Sequence, residues 1–231
     1  MIEWLKRMAA LTALSLVAAC GGGDDPAPPG TVAEVATKSG FTALVAAADK
    51  AGLVPALSSS SASLTVFAPT DAAFTTLATR LGFASASAMV AALDGPTLAK
   101  ILQYHVLPTK KLAADLASGG PSQPTLYTFG GAAATLALNT TSGVKITDAV
   151  LNQATVTNAN VAASNGVIHV IDTVLVPPGV LNVVQMAQAN PTFSTLVGAV
   201  VSANLQGALS DPAAQLTVFA PTNDAFAAIA S

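Results

Sequence analysis

Apolar residues over the first hundred-odd positions recur at helical spacing, and from about residue 125 onward they alternate at period two. Thr31 is a good N-cap for a helix over 32–38, closed by Ser39-Gly40. Over 41–51, Phe41, Leu44, Val45 and Ala48 share one helical face, and Gly52 stands where a left-handed cap is expected. Residues 53–57 form a short apolar turn, followed by a loop of small polar residues at 58–63. The run LTVFA at 64–68 predicts a strand that Pro69 ends, because proline cannot donate to a ladder. Thr70 and Asp71 are both N-cap residues for a helix over 72–79 with Phe74 and Leu77 inward. Two more helices are predicted over 85–93 and 96–104, the second burying Leu98, Ile101 and Leu102, and a short segment over 110–117 precedes the break at Gly119-Gly120-Pro121.

Strands are predicted over 126–129, 135–139, 144–150, 154–161 and 167–176, separated by Gly130-Gly131, residues 140–143 and Asn165-Gly166. Asn-Gly between two alternating runs is a strong hairpin signal. VIHVIDTVLV at 167–176 is nearly continuous apolar sequence, which suits a central strand buried on both faces and stopped by Pro177-Pro178. Helices first and strands afterwards, with one early strand, predict an α+β fold whose sheet-rich core is capped by helices.

One stretch recurs. LTVFAPTDAAF at 64–74 returns as LTVFAPTNDAF at 216–226, and residues 41–78 align without gaps to 193–230 at an offset of 152, with about half the positions identical. Such an offset suits a duplicated domain. Strand end, proline stop and capped helix make the motif an architectural corner, in which Asp71 serves the dipole of a helix N-terminus. Residues 179–231 repeat only the early elements, so a strand over 216–220 would lack its sheet partners. The expectation is a tether followed by one complete domain at 31–178 and the N-terminal part of a second at 179–231, in a fragment or truncated product of a longer tandem protein.

Composition narrows the function. The chain is 52% hydrophobic and only 9% charged, with a formal net charge of −3 and no basic cluster beyond Lys110-Lys111, so nucleic acid is not an expected partner. The single cysteine, Cys20, excludes a disulfide framework and a cysteine-rich metal site. Residues 1–7 carry Lys6 and Arg7, residues 8–19 are apolar, and that run is too short to span a bilayer, which predicts a signal peptide over 1–19. Its end, Leu16-Val17-Ala18-Ala19-Cys20, resembles the lipobox of bacterial lipoproteins, and by that resemblance Cys20 is acylated and holds the protein on a membrane. Residues 20–30 then form a Gly/Pro-rich tether.

Three motifs in order, LTVFAPTDAAF at 64–74, ILQYHVLP at 101–108 and NGVIHVIDTVLVPP at 165–178, resemble a fasciclin domain. The resemblance implies a compact wedge of two β-sheets with several helices, and a secreted or surface-attached protein of adhesion or matrix association. It also implies that Tyr104 and His105 are candidate partner contacts, although an aromatic and an imidazole there equally suit packing with one polar tip bonded. A lipid-anchored, non-catalytic adhesion module of the bacterial cell envelope, at the outer membrane or cell surface, is the expected function, with a protein or polysaccharide surface as partner and no cofactor.

Two other classes compete. A hydrolase could draw on His105, His169, Asp172 and a serine, yet no G-x-S-x-G elbow, H-E-x-x-H or CxxC is present, so no catalytic or metal residues are assigned. His169, inside an expected buried strand, reads as a hydrogen-bonded core histidine. A periplasmic carrier of a small apolar ligand is the second alternative, since Ala/Val-rich sandwiches can enclose cavities.

Overall fold

The computed structural model describes residues 29–211, 213–214 and 216–229. The expected signal peptide, Cys20 and most of the tether lie outside them. In chain order the elements are α1 (Val32–Lys38), α2 (Thr42–Lys50), α3 (Val54–Leu57), β1 (Leu64–Pro69), α4 (Asp71–Arg80), α5 (Ala86–Ala92), α6 (Gly95–Tyr104), β2 (Val106–Leu107), α7 (Ala113–Ser118), β3 (Ser122–Phe129), β4 (Ala132–Asn139), β5 (Lys145–Thr147), β6 (Gln153–Ala163) and β7 (Gly166–Ile171). After these come α8 (Val183–Ala189), a 3₁₀ turn at Pro191–Phe193, α9 (Ser194–Ser202), α10 (Gln206–Ser210) and α11 (Asn223–Ile229).

Local chemistry sets the helix starts. Thr31 and Glu34 close a capping box on α1, the Thr70 hydroxyl accepts from the Ala73 N–H on α4, and Ser85 and Asp94 cap α5 and α6 in the same way. Lys38, Lys50 and Arg80 sit in the last turns of α1, α2 and α4, where a cation complements the helix dipole.

The seven strands run in the order β2-β1-β7-β6-β5-β4-β3, a mixed sheet with helices against it. The early strand β1 pairs parallel with the last strand, β7, in the register Leu64↔Gly166 through Pro69↔Ile171; every other pairing is antiparallel. The wedge comes from β6. Its first residues, Gln153–Thr155, pair with β5, and from Val156 onward it pairs with β7 through two irregularities. Bulges of this kind bend a strand and raise its twist.

Two cores result. Alternation in β1 sends Val66 and Ala68 to the helix side with Leu44, Phe74, Leu98 and Leu102, while Phe67 points the other way. There Phe67 joins Tyr104, Leu107, Tyr127, Leu136 and Ile146, so strands from both ends of the sheet order share one interior.

Four expectations change. The first strand includes Pro69, tolerated as its last residue, and Thr70 N–H then donates to the Ile171 carbonyl at 3.2 Å. The strand expected over 167–176 ends at Ile171, although its central, two-face-buried position is as expected. Beyond it, side chains replace the ladder: Leu175 N–H donates to His105 and Val176 N–H to Asp148. The strand expected over 144–150 shortens to Lys145–Thr147 because the Asp148 side chain folds the next residues into a turn. Val106–Leu107, read only as the end of a helix motif, pairs with β1 as an edge strand.

The second repeat is different in kind. Residues 216–222 carry no strand, and Phe219 is 90% exposed. Helix α8 and the residues leading into it nevertheless pack with the first unit: Val180, Leu181, Met186 and Ala189 join the helix-side core, and the Ala189 carbonyl accepts from Arg80 Nη1 and Asn152 Nδ2, both at 3.0 Å.

Gly166 must be glycine for room rather than for backbone freedom. A Cβ there would stand 2.4 Å from the Leu64 carbonyl oxygen, which β1 cannot move without breaking the parallel register. Gly166→Ala is expected to destabilise the chain by about 2–4 kcal/mol, with chemical denaturation as the measurement; a loss under about 0.5 kcal/mol, the range of an ordinary surface change, would show that the register tolerates a methyl group.

Candidate functional site

Tyr104 and His105 lie where α6 runs into β2, and both are buried, each 1% exposed. Neither presents a side chain to a partner surface, so the pair is packed inside the domain. Tyr104 meets Tyr127 edge to face at 6.2 Å between centroids, and its hydroxyl donates to the Thr135 carbonyl at 3.1 Å. Burial first, then the nearby Asp148 charge, pushes its phenol up to about 12.

The hydrogen bonds define the tautomer of His105. Nδ1 must donate to the Ile101 carbonyl at 2.8 Å, leaving Nε2 to accept from Leu175 N–H at 2.9 Å. Both nitrogens are committed only in the neutral ring, and burial lowers the imidazole to about 4. His169 carries its proton on the opposite nitrogen. Nδ1 accepts from Asn160 N–H at 3.2 Å and Nε2 donates to the Lys111 carbonyl at 2.9 Å; burial lowers its pKa as well. It faces Phe67 at 5.7 Å between ring centroids. Each imidazole bridges main-chain groups of different segments and has no nitrogen left for substrate or metal. Among the described residues, no group of three His, Cys, Asp or Glu side chains is placed to hold a metal ion.

Asp148, not singled out in the sequence, is the densest polar junction beside this pair. Its Oδ1 accepts from Val150 N–H at 3.0 Å and Asn152 N–H at 2.8 Å, and its Oδ2 accepts from Val176 N–H at 2.9 Å. Burial raises the carboxyl to about 6 while these N–H groups pull it back down. Leu175 and Val176 thus give consecutive N–H groups to the histidine between α6 and β2 and to a carboxylate from the β5–β6 connection. Asn165, from the predicted hairpin turn, is a second junction: its Oδ1 accepts from Val32 N–H, and its Nδ2 donates to the carbonyls of Leu57 and Ser59.

Asp71 does more than meet the dipole of its own helix. α2 has no side-chain cap of its own, and Asp71 supplies one from α4: Oδ1 accepts from Ala43 N–H at 2.9 Å and Oδ2 from the Thr42 hydroxyl. At the equivalent position of the second repeat, Asn223 Oδ1 accepts from Thr195 N–H at 2.9 Å, and its Nδ2 bonds the Ser194 hydroxyl at 3.0 Å. The same clasp joins the same two helices in both copies. Equal spacing of the recurring motif could have revealed it, had the two polar positions been paired across the repeat.

The repeat therefore supplies its own control. Asp71→Ala is expected to cost about 1–2 kcal/mol as one helix loses its cap, whereas Asp71→Asn, which keeps an acceptor as Asn223 does, costs less than half of that; equal losses in urea denaturation would show that charge and not geometry matters.

The histidines also set a pH dependence. For His105 the folded value, about 4, lies below the ordinary 6.5, so the stability it contributes is present above 6.5 and lost as pH falls towards 4. Asp148 acts in the opposite sense: raised from 3.8 to about 6, it favours the fold progressively as pH falls from 6 to 3.8 and offsets much of that loss. Asp148→Asn removes the offset. The variant is expected to lose stability between pH 6.5 and 4.5 more steeply than the native chain, by roughly 1–3 kcal/mol over that interval, while the His105 ring proton resonances stay those of a neutral imidazole down to pH 5. A charged His105 at pH 6 would refute the assignment.

The model of the Fasciclin domain matches residues 39–177 and 191–231. Protein sll1483 of Synechocystis sp. is 41% identical over 149 residues, covering 64% of this chain and 74% of its own, and Uncharacterized protein sll1735 of the same organism is 36% identical over 135 residues, covering 58% and 88%. Among solved structures, a FAS1 domain pair from the insect cell adhesion molecule fasciclin I superposes with a TM-score of 0.41 at 20% identity, over 82% of this chain and 58% of that one. Fasciclin domains are generally non-catalytic modules of adhesion type. With two matched stretches that together take in most of its length, this chain belongs to the fasciclin domain family.

Proposed function

We propose that the protein is a non-catalytic adhesion or matrix-interaction module of the bacterial cell envelope, anchored through acylated Cys20 and carried on the Gly/Pro-rich segment at residues 20–30. The observation that carries this reading is the use made of its two histidines: each bridges main-chain groups with both nitrogens, so the side chains best suited to acid–base chemistry serve the scaffold. What remains for interaction is the surface. A lipid anchor and an extended arm place such a surface outside the membrane, where a protein or polysaccharide can meet it. With Tyr104 and His105 buried, contact with a partner falls to exposed residues of the domain.

Replacing Cys20 by Ser is expected to abolish incorporation of labelled palmitate and to move the protein from the membrane fraction to the soluble one, with surface attachment lost and the domain still folded. A variant that stays in the membrane fraction and supports attachment as before would overturn the anchor. A deletion strain whose attachment to surfaces and matrix is unchanged would overturn the adhesion role itself.

A further inference from the structure

The helix-side core is incompletely filled. Between α1, α2 and α3 on one side and β1, β2 and β7 on the other lies an apolar cavity of about 190 Å³. It exists because the walls carry small side chains where the helices approach the sheet: Ala33 and Ala36 from α1, Ala48 from α2 and Ala68 from β1. A void in a close-packed interior forfeits dispersion contacts along its whole lining. Water is a poor occupant, because a buried water needs two to four polar partners. The polar groups on this wall are already bonded. His105 has both nitrogens engaged, and the Thr37 hydroxyl donates to the Ala33 carbonyl at 2.8 Å.

Gln103 is the exception. It lines the same cavity, is half-buried, and its carboxamide reaches solvent instead of bonding another described residue. It lies beside half-buried Val45 and Ala33 and exposed Leu126, where the cavity meets solvent. Size limits the guest: an apolar cavity of about 150 Å³ is known to stay dry and to take a benzene ring, and this one is somewhat larger.

We propose that this cavity binds a small neutral amphiphile, with a body of one ring or a short alkyl chain held between α1–α3 and the sheet and a single hydrogen-bonding head met by the Gln103 carboxamide. The cavity is separate from the anchor at Cys20, and its test reads the binding of small probes rather than attachment, so it stands or falls apart from the adhesion reading.

Toluene and 1-octanol, titrated into the full chain and followed by amide chemical shifts, test it. Saturable shifts are expected at the lining, Ala33, Val45 and Gln103 among them, with the sheet face around Tyr127 unmoved. Ala48→Leu fills the cavity and is expected to weaken both probes at least tenfold. Should that variant not fold, Val45→Phe narrows the entrance and is expected to do the same. Gln103→Leu is expected to weaken 1-octanol more than toluene, since only the alcohol uses the amide. Absence of saturable shifts at the lining with either probe overturns the site, as does unchanged binding by a folded, filled variant. An unchanged ratio of the two probes in Gln103→Leu overturns the role given to the head group.

Discussion

The parallel pairing of β1 with β7 is the constraint on which the rest of the structure depends. About a hundred residues separate the two strands in sequence, and the intervening helices and meander are held in one loop by that ladder. The pairing fixes which residues face the helices and which face the second interior, because a slip of one residue would send Phe67 to the wrong side. It also sets Gly166 against the main chain of Leu64, and it brings the end of β7 to the point where Thr70 starts α4.

Where the ladder stops, side chains from elsewhere take over its hydrogen bonds. His105 takes Leu175 N–H and Asp148 takes Val176 N–H, while Asp172, the first residue past the strand, turns its own side chain back to accept from Thr155 N–H of β6 at 2.8 Å. An unpaired buried N–H costs free energy comparable to a lost hydrogen bond, so these substitutes let an apolar segment leave the sheet yet stay inside. Tyr104 and His105, both buried, belong to the same arrangement: Tyr104 bonds the Thr135 carbonyl and His105 the Leu175 N–H, so the segment ties the end of α6 to the sheet.

Much of this was legible in the residues. Caps announce themselves locally, and Thr31 and Thr70 bond where their positions predict. A hairpin joins β6 to β7 as expected, although its two turn residues are Ser164-Asn165 and Gly166 is already paired in β7, and the early LTVFA strand and the period-two strands are present. The misses share a cause. Near 172–176 only the polar pair Asp172-Thr173 interrupts VIHVIDTVLV, and the competing acceptors, His105 and Asp148, lie 70 and 28 residues away from their donors. Asp71 reads locally as a residue of its own helix for the same reason: its second role depends on a helix that begins 29 residues earlier. The cavity was equally hidden, because it arises from small residues that only the fold brings together.

The recurring hexapeptide LTVFAP has one further consequence. β7 offers a single parallel slot, filled by residues 64–69, and residues 216–221 carry the same six side chains without a strand of their own. As the chain collapses, one template has two identical claimants. The later copy lies at under half the contour distance of the earlier, an entropic advantage of only about 0.6 kcal/mol per doubling of loop length. Choosing the correct copy therefore falls to what surrounds it: β2 beside β1, the Asp71 clasp behind it, and its earlier emergence during synthesis. Fidelity in a tandem protein of this kind is a problem of sorting like from like, and mispairing between repeats is its natural failure.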